Sequence, residues 1–335
     1  MKLQPPWSGP FALPDTTGIT GLPLTGAAVL KNWFTEKRWC YIGIVSPELF
    51  FGAAVIHLGY ISSAFCFCFD REHREMTEAG FVMPPVGSVR YDRHPATGIC
   101  RFREGKRRIE FSGDLETGGR QVRTHLSADD LFADIRLAET TGSFSPMHFP
   151  MDMGEGKTAF TTKAAGIPAR GNIRAGDKKF ILDPKNTFAL YDWTHGAYHR
   201  QTFWNWACGA GFAREATPAG PETRVGFNLS RGVYENGTLE NTLWIDGQPE
   251  PVADVDYDYD TAQPLNSWTI TSRDQKINLR FFPEGKRGAT DNFGLVASRF
   301  IQPCGRFEGE IKTDAGQRFT LTDTAGVVEE HFAKW

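Results

Sequence analysis

An excess of charge of one sign is the first thing this sequence lacks. Across 335 residues, 37 Lys and Arg stand against 40 Asp and Glu, for a net charge of −3. Without a domain-wide basic excess, nucleic acid and anionic membrane surfaces are not expected partners. Long apolar runs are missing too. The longest, Leu49 to Ile56, includes Gly52, whereas a membrane-spanning helix needs about 20 such residues, so no integral membrane segment is expected. The first residues lack the pattern of a signal peptide, because Pro5, Pro6, Pro10 and Pro14 interrupt any apolar stretch after Lys2. The expectation is a soluble, cytoplasmic protein. Cysteine is sparse: the six residues at 40, 66, 68, 100, 208 and 304 include no CxxC pair and read as small buried hydrophobes. Gly166 to Gly176 contains neither GxGxxG nor GK[ST], and no GxSxG elbow occurs, so a phosphate cradle and a serine nucleophile are unsupported. No cofactor and no metal are expected.

Helical periodicity is also nearly absent; a short helix is tolerated only near Asp70 to Glu78. Period-two alternation dominates instead. Arg38 to Val45, Leu49 to Leu58 and Tyr60 to Asp70 read as three successive strands. Arg101 to Glu110 reads as a hairpin turning at Glu104-Gly105. Ser127 to Asp130 has the look of a helix cap, yet Leu131, Ala133, Ile135 and Leu137 alternate with Phe132, Asp134, Arg136 and Ala138. The first set is uniformly apolar, so a strand is expected. Asp246-Gly247 and Asp314-Ala-Gly316 are hairpin turn signals. Asp254 to Asp260 alternates Asp with Val and Tyr, which suits a strand with one solvated face. Many short strands separated by Gly and Pro turns point to sandwiches or barrels. The least regular stretch, Ser143 to Lys185, suggests a domain division within or at its end.

What is abundant is aromatic: 26 Phe, 9 Trp and 8 Tyr, enough for a large core and incompatible with disorder. Trp193, Trp204 and Trp206 fall within fourteen residues. The segment Tyr191-Asp-Trp-Thr-His-Gly-Ala-Tyr-His-Arg-Gln-Thr-Phe-Trp-Asn-Trp206 threads Asp192, His195, Arg200 and Asn205 among them. A buried polar group left unsatisfied costs about 1–3 kcal/mol. These groups must therefore reach the surface, satisfy one another or line a pocket, and a pocket of mostly apolar walls with a few polar groups is the favoured reading. Asp192, if desolvated beside Trp193, becomes a general acid; if Arg200 pairs with it, it becomes structural. His195 and His199 are four apart, but Gly196 and the alternation argue against the helix a metal pair would need. At the C-terminus, Glu330 and His331 form a second candidate cluster. Lys31 to Cys40 mixes Trp33 and Trp39 with charges, as at a barrel mouth.

These motifs together resemble the bacterial family known as domain of unknown function 2804. The carriers are Lys37-Arg-Trp-Cys-Tyr-Ile-Gly43, Tyr191-Asp-Trp-Thr-His-Gly196, Trp204-Asn-Trp206, Val225-Gly-Phe-Asn-Leu229, Glu240-Asn-Thr-Leu243, Cys304-Gly-Arg-Phe-Glu-Gly309 and Gly326-Val-Val-Glu-Glu-His-Phe-Ala-Lys-Trp335. The resemblance implies an all-β chain of two lipocalin-like antiparallel β-barrels with little helix, distantly similar to carotenoid hydratases and cyclases. The division is expected as residues 1–185 and 186–335, the second barrel carrying the Trp-rich segment.

Three functions follow as expectations. The first is binding of an apolar, isoprenoid- or lipid-like small molecule, by Trp193, Arg200, Trp204, Asn205 and Trp206 with Asn228, Glu240 and Asn241. The second is cofactor-free hydration, isomerisation or cyclisation. Asp192 would act as the acid, the Trp faces would stabilise a cation, and His195 or Tyr198 would position water. The third is sugar binding or cleavage, with Asp192 and Glu240 as an acid/base pair.

Overall fold

The computed structural model describes residues 34–84, 88–91, 98–114, 119–126, 130–138, 144–215, 222–233, 240–292 and 297–334. Among them almost every residue outside a turn is extended. The first thirteen strands in chain order are β1 (Glu36–Val45), β2 (Leu49–His57), β3 (Ser62–Asp70), β4 (Glu75–Met83), β5 (Val89–Tyr91), β6 (Ile99–Glu104), β7 (Arg107–Asp114), β8 (Gly119–Leu126), β9 (Leu131–Ala138), β10 (Met147–Gly154), β11 (Lys157–Ala175), β12 (Lys178–Leu182) and β13 (Phe188–Ala197). They form one antiparallel sheet in the order β4-β3-β2-β1-β13-β11-β9-β8-β7-β6-β5, with β10 and β12 also paired to β11. The remainder are β14 (Gln201–Glu215), β15 (Glu222–Arg231), β16 (Thr242–Ile245), β17 (Gln248–Pro251), β18 (Val255–Asp258), β19 (Trp268–Ser272), β20 (Ile277–Asn292), β21 (Ala297–Lys312) and β22 (Arg318–Lys334). These make a second sheet, β17-β16-β15-β14-β22-β21-β20-β19-β18. Each sheet curls on itself, giving two lipocalin-like β-domains.

Local sequence explains most elements. In β9 the side chains alternate between buried and accessible as its apolar period requires. The hairpin β6–β7 turns at Gly105, whose φ is +57°. Between β16 and β17, Asp246 and Gly247 both take positive φ, 48° and 85°, as a two-residue turn matched to strand twist demands. In β18 the Asp side of the alternation is outward: Asp256 pairs with Arg231 at 3.3 Å while Tyr257 is buried. The tolerated helix at Asp70 to Glu78 is not formed. A turn follows Asp70, and Glu75–Met83 pairs along its length with β3.

Two expectations about chain organisation meet a different arrangement. The stretch from Ser143 to Lys185 contains β11, a nineteen-residue strand. It absorbs its Gly and Pro residues by bending: Gly166 has φ +96° at a register shift between Ala165 and Ile167. Before the bend β11 pairs with β10 and β13; its pairing with β13 runs on to Pro168, and from Ala169 it pairs with β9 and then also β12. The expected division at 185/186 falls before β13, which is hydrogen-bonded to β1 and β11 in the first sheet. The chain passes between sheets after Ala197 and before Gln201. The Trp-rich segment therefore straddles both sheets.

The sheets meet face to face. One core cluster combines residues of the first sheet with Trp206, Cys208, Trp244, Cys304 and Val327 of the second. A second cluster fills the other domain around Phe227, Trp268, Phe281 and Phe307. There the Phe281 and Phe307 rings lie 4.6 Å apart, and deleting such a ring costs about 3–5 kcal/mol. At the contact between sheets, a Cβ on Gly226 of β15 would lie 2.1 Å from the Ala165 carbonyl oxygen. Only glycine lets β15 approach the bend of β11 so closely, and that approach carries the next residues of β11 against the second sheet. All six cysteines are buried and unbridged.

Candidate functional site

A cavity of about 280 Å³ opens between the two sheets. Its position follows from register. Tyr41 on β1 is opposite Asp192 on β13, and Asp192 is opposite Lys163 on β11. Directly opposed residues project to the same side of a sheet, so these three form one polar row on the face turned toward the second sheet. Across from them, Trp206 of β14 meets the Tyr41 ring edge-on at 5.7 Å, and the Lys163 ammonium lies 5.8 Å from the Trp206 ring centre. Aliphatic side chains of β2, including Ala54 and Ile56, form another wall with Phe65 of β3 and Val82 of β4.

The deepest polar group is a triad. Lys163 Nζ donates to Asp192 Oδ2 at 2.7 Å and lies 3.6 Å from Glu240 Oε2. Thr194 Oγ1 donates to the other Asp192 oxygen at 2.9 Å. Lys163, Asp192 and Glu240 are all buried. Burial works against the Lys163 charge, but the Asp192 and Glu240 carboxylates outweigh it and raise its pKa. Burial pushes the Glu240 carboxyl up; Lys163 opposes this, and Asp192 adds to it. Glu240 is thus the group disposed to hold a proton.

A second polar cluster lies on β14, β21 and β22. Glu329 accepts hydrogen bonds from Trp204 Nε1 at Oε1 and from Gln302 Nε2 at Oε2, each 2.8 Å. His331 packs 4.2 Å from the Trp204 ring, and its Nε2 is 2.9 Å from Ser298 Oγ. Trp39 stacks on Trp204 at 6.4 Å and tilts against Tyr198 at 5.2 Å, closing this end with three aromatic rings.

The sequence-derived candidates divide by strand parity. Asp192, Tyr198, Trp204, Trp206 and Glu240 line the cavity. Trp193 and His195 point to the opposite face of β13. Trp193 stacks on Tyr91 at 5.7 Å and meets Phe160 edge-on, inside the first domain. His195 Nε2 contacts Glu36 and Arg38. Burial raises the Glu36 carboxyl, yet hydrogen bonds from His195 and Arg38 hold it at about 2. Asn205 also faces away, donating to Tyr259 Oη at 2.8 Å. Arg200 is exposed at the turn between the sheets and does not line the cavity. The open question of a partner for Asp192 is answered by Lys163. Asn228 supports the site from behind, accepting from Trp206 Nε1 at 2.7 Å and donating to the Glu240 carbonyl at 3.1 Å. Asn241 accepts from the Ser230 amide at 2.6 Å and donates to the Ala253 carbonyl, bracing the strand. Of the C-terminal pair, His331 lines the cavity with Glu329, whereas Glu330 accepts from Tyr259 Oη. Trp39 does stand at the cavity; Trp33 and Trp335 lie outside the described residues.

Lys163, Arg287 and Gln302 also line the cavity and belong to no motif, and Tyr41 and Glu329, which lie within the family motifs Lys37–Gly43 and Gly326–Trp335, line it as well. For Lys163 the usual signal is erased. The stretch Ala159–Ile167 is buried on both faces, so no polar alternation marks which residue faces a pocket.

Two curled antiparallel sheets enclosing a ligand-sized space define a lipocalin-like double-domain protein. The chain belongs to the family described as domain of unknown function (DUF2804), which it matches over residues 17–335. Among solved structures it is similar to CghA with Sch210972, at 10% identity and a TM-score of 0.54, covering 90% of this chain and 88% of that one. It is also similar to kievitone hydratase from Nectria haematococca, at 13% identity and a TM-score of 0.50, covering 94% of each. At these identities the likeness is one of fold. A search of curated proteins finds no match. No helix among the described residues is long and apolar enough to cross a membrane.

Proposed function

We propose that this protein binds an apolar small molecule, isoprenoid- or lipid-like, in the cavity between its two domains. The observation that carries this reading is the contrast inside one space of about 280 Å³. Its walls are Trp, Tyr, Phe and aliphatic side chains, while the polar groups gather into two compact clusters. Ligand sites span about 300–1,000 Å³ and combine apolar walls with a few convergent polar groups. Similarity of fold to CghA, whose crystal structure is one with Sch210972, supports a cavity of this kind. The test is organic extraction of purified protein with mass spectrometry, together with titration of Trp fluorescence by fatty acids and isoprenoids. Trp39, Trp204 and Trp206 line the space, so binding is expected to quench emission. No extracted molecule and no quenching would overturn the reading.

The Lys163–Asp192–Glu240 triad favours a second reading, cofactor-free acid/base chemistry on the bound molecule. Asp192 is engaged by Lys163 and Thr194, so Glu240, with its raised pKa, is the better proton donor. A fold neighbour named as a hydratase makes water addition to a double bond the first reaction to try. Incubating candidate alkenes in ¹⁸O-water tests it: incorporation of the label that disappears in Glu240→Gln supports the chemistry, and its absence with a bound alkene counts against it. The sugar-cleaving expectation gains no support, because Asp192 and Glu240 both face the Lys163 ammonium rather than a gap between them.

A further inference from the structure

Arg287 on β20 lines the cavity, yet no described residue accepts a hydrogen bond from its Nε. Its guanidinium lies over the Phe65 ring at 3.8 Å and near the Phe300 ring at 5.3 Å, held between one ring from each sheet. Its side chain is 14% exposed. Among the described residues the one carboxylate in ion-pair range is Glu78, with Oε2 3.3 Å from Nε. That contact lacks hydrogen-bond alignment, and Nε has no hydrogen-bond partner among the described residues. Glu78 itself is half exposed. Glu329, the buried acid whose charge also reaches Arg287, has both oxygens occupied by Trp204 and Gln302. A guanidinium presents five donors in a rigid fork. Burial here disfavours its charge, an expense that an acceptor entering the cavity would offset.

We propose that Arg287 is the anchor for the carboxylate head of an amphipathic acid, whose apolar body extends along the wall of Ala54, Ile56 and Phe65 toward Trp204 and Trp206. This rests on the reading of the cavity as an apolar-ligand site and adds the class of ligand. The two Phe rings fix the plane of the fork, so a carboxylate meets it bidentately. A neutral alcohol of the same chain length fills the same walls but offers no matching pair of acceptors.

The test compares dodecanoate with dodecan-1-ol at pH 8, by quenching of Trp fluorescence and by calorimetry. It uses the wild-type chain, Arg287→Met, Arg287→Lys and Glu78→Gln. The acid is expected to bind the wild type about tenfold or more tighter than the alcohol, the usual worth of a charge-assisted pair. Arg287→Met removes that preference while alcohol binding stays within about twofold, since the methionine keeps the apolar contact. Arg287→Lys retains charge but not the fork and keeps only part of the preference. Glu78→Gln leaves the preference intact, because Glu78 is not what the fork serves. Equal binding of acid and alcohol to the wild type overturns the anchor while leaving the apolar site standing. So does a preference that survives Arg287→Met or vanishes in Glu78→Gln. If neither probe binds, the cavity reading falls and takes the anchor with it. Where Arg287→Met does not fold, an unchanged preference in Arg287→Lys also overturns the proposal.

Discussion

The two polar clusters of the cavity solve the same problem in different ways. Both place a carboxylate in an apolar space. The Lys163 cluster does it with full charges, one ammonium shared between Asp192 and Glu240. The Glu329 cluster does it with neutral donors, the Trp204 indole and the Gln302 amide. A buried ion set stands only while its charges balance, whereas neutral donors can be lost one at a time. The first cluster is therefore brittle and titratable, and the second is tolerant and suited to shape a ligand.

The largest expected effect is at the centre of the brittle cluster. Lys163→Met strands two buried carboxyl groups, and removing one partner of a buried pair costs about 3–5 kcal/mol. Chemical denaturation should show a midpoint lowered accordingly. A loss under about 1 kcal/mol would mean that the triad is far wetter than its burial suggests.

Titration sharpens the contrast next. The Glu240 carboxyl is raised above 4.5 in the folded protein, so the folded state holds this proton more tightly than the unfolded chain. Its contribution is complete below about pH 4.5 and is lost as pH rises through the folded value. Lys163 is shifted upward as well and stays charged through this range. Glu240→Gln should therefore gain stability relative to wild type as pH goes from 4 to 8. Parallel stability curves for the two proteins would remove Glu240 as the proton-holding group.

Trp204→Phe probes the tolerant cluster. It keeps an aromatic ring against Trp39 and His331 but deletes the Nε1 donor to Glu329. Gln302 still serves the other oxygen, so a loss of about 1–2 kcal/mol is expected. Denaturation measures it, and a cost equal to that of Lys163→Met would erase the distinction between the clusters.

How much of this was readable in advance differs between the same two clusters. Strand alternation gave β9 and β18, and Gly and Asp turns gave the hairpins, because each is decided by neighbours in sequence. Of the Trp-rich segment, Asp192, Trp204 and Trp206 meet at one cavity. Which parity of β13 faces it is set by pairing with β1 and β11, and local sequence does not hold that information. Trp193 and His195 were drawn into the expectation for this reason. Lys163 was hidden because its strand, bent at Gly166 and buried on both sides, resembles an irregular linker. Glu329 and Gln302 were hidden because only the pairing of β22 with both β14 and β21 brings them beside Trp204.

The smallest effect should come from the outer edge of the tolerant cluster. Ser298 Oγ lies 2.9 Å from His331 Nε2, and both side chains are only partly buried. Ser298→Ala deletes this hydrogen bond and leaves the ring nitrogen within reach of water, which can replace the hydroxyl. A partly solvated neutral hydrogen bond contributes about 0.5–1.5 kcal/mol, and rehydration places this one at the low end. The His331 ring remains held by a tilted contact with Trp204 and an edge-on contact with Phe300, so the wall it forms should keep its shape. Denaturation should shift little, and affinity for an apolar probe should stay within about twofold. Should Ser298→Ala instead abolish probe binding while the fold holds, His331 would be acting through its ring nitrogen on the ligand. The second cluster would then be a polar recognition site rather than a wall.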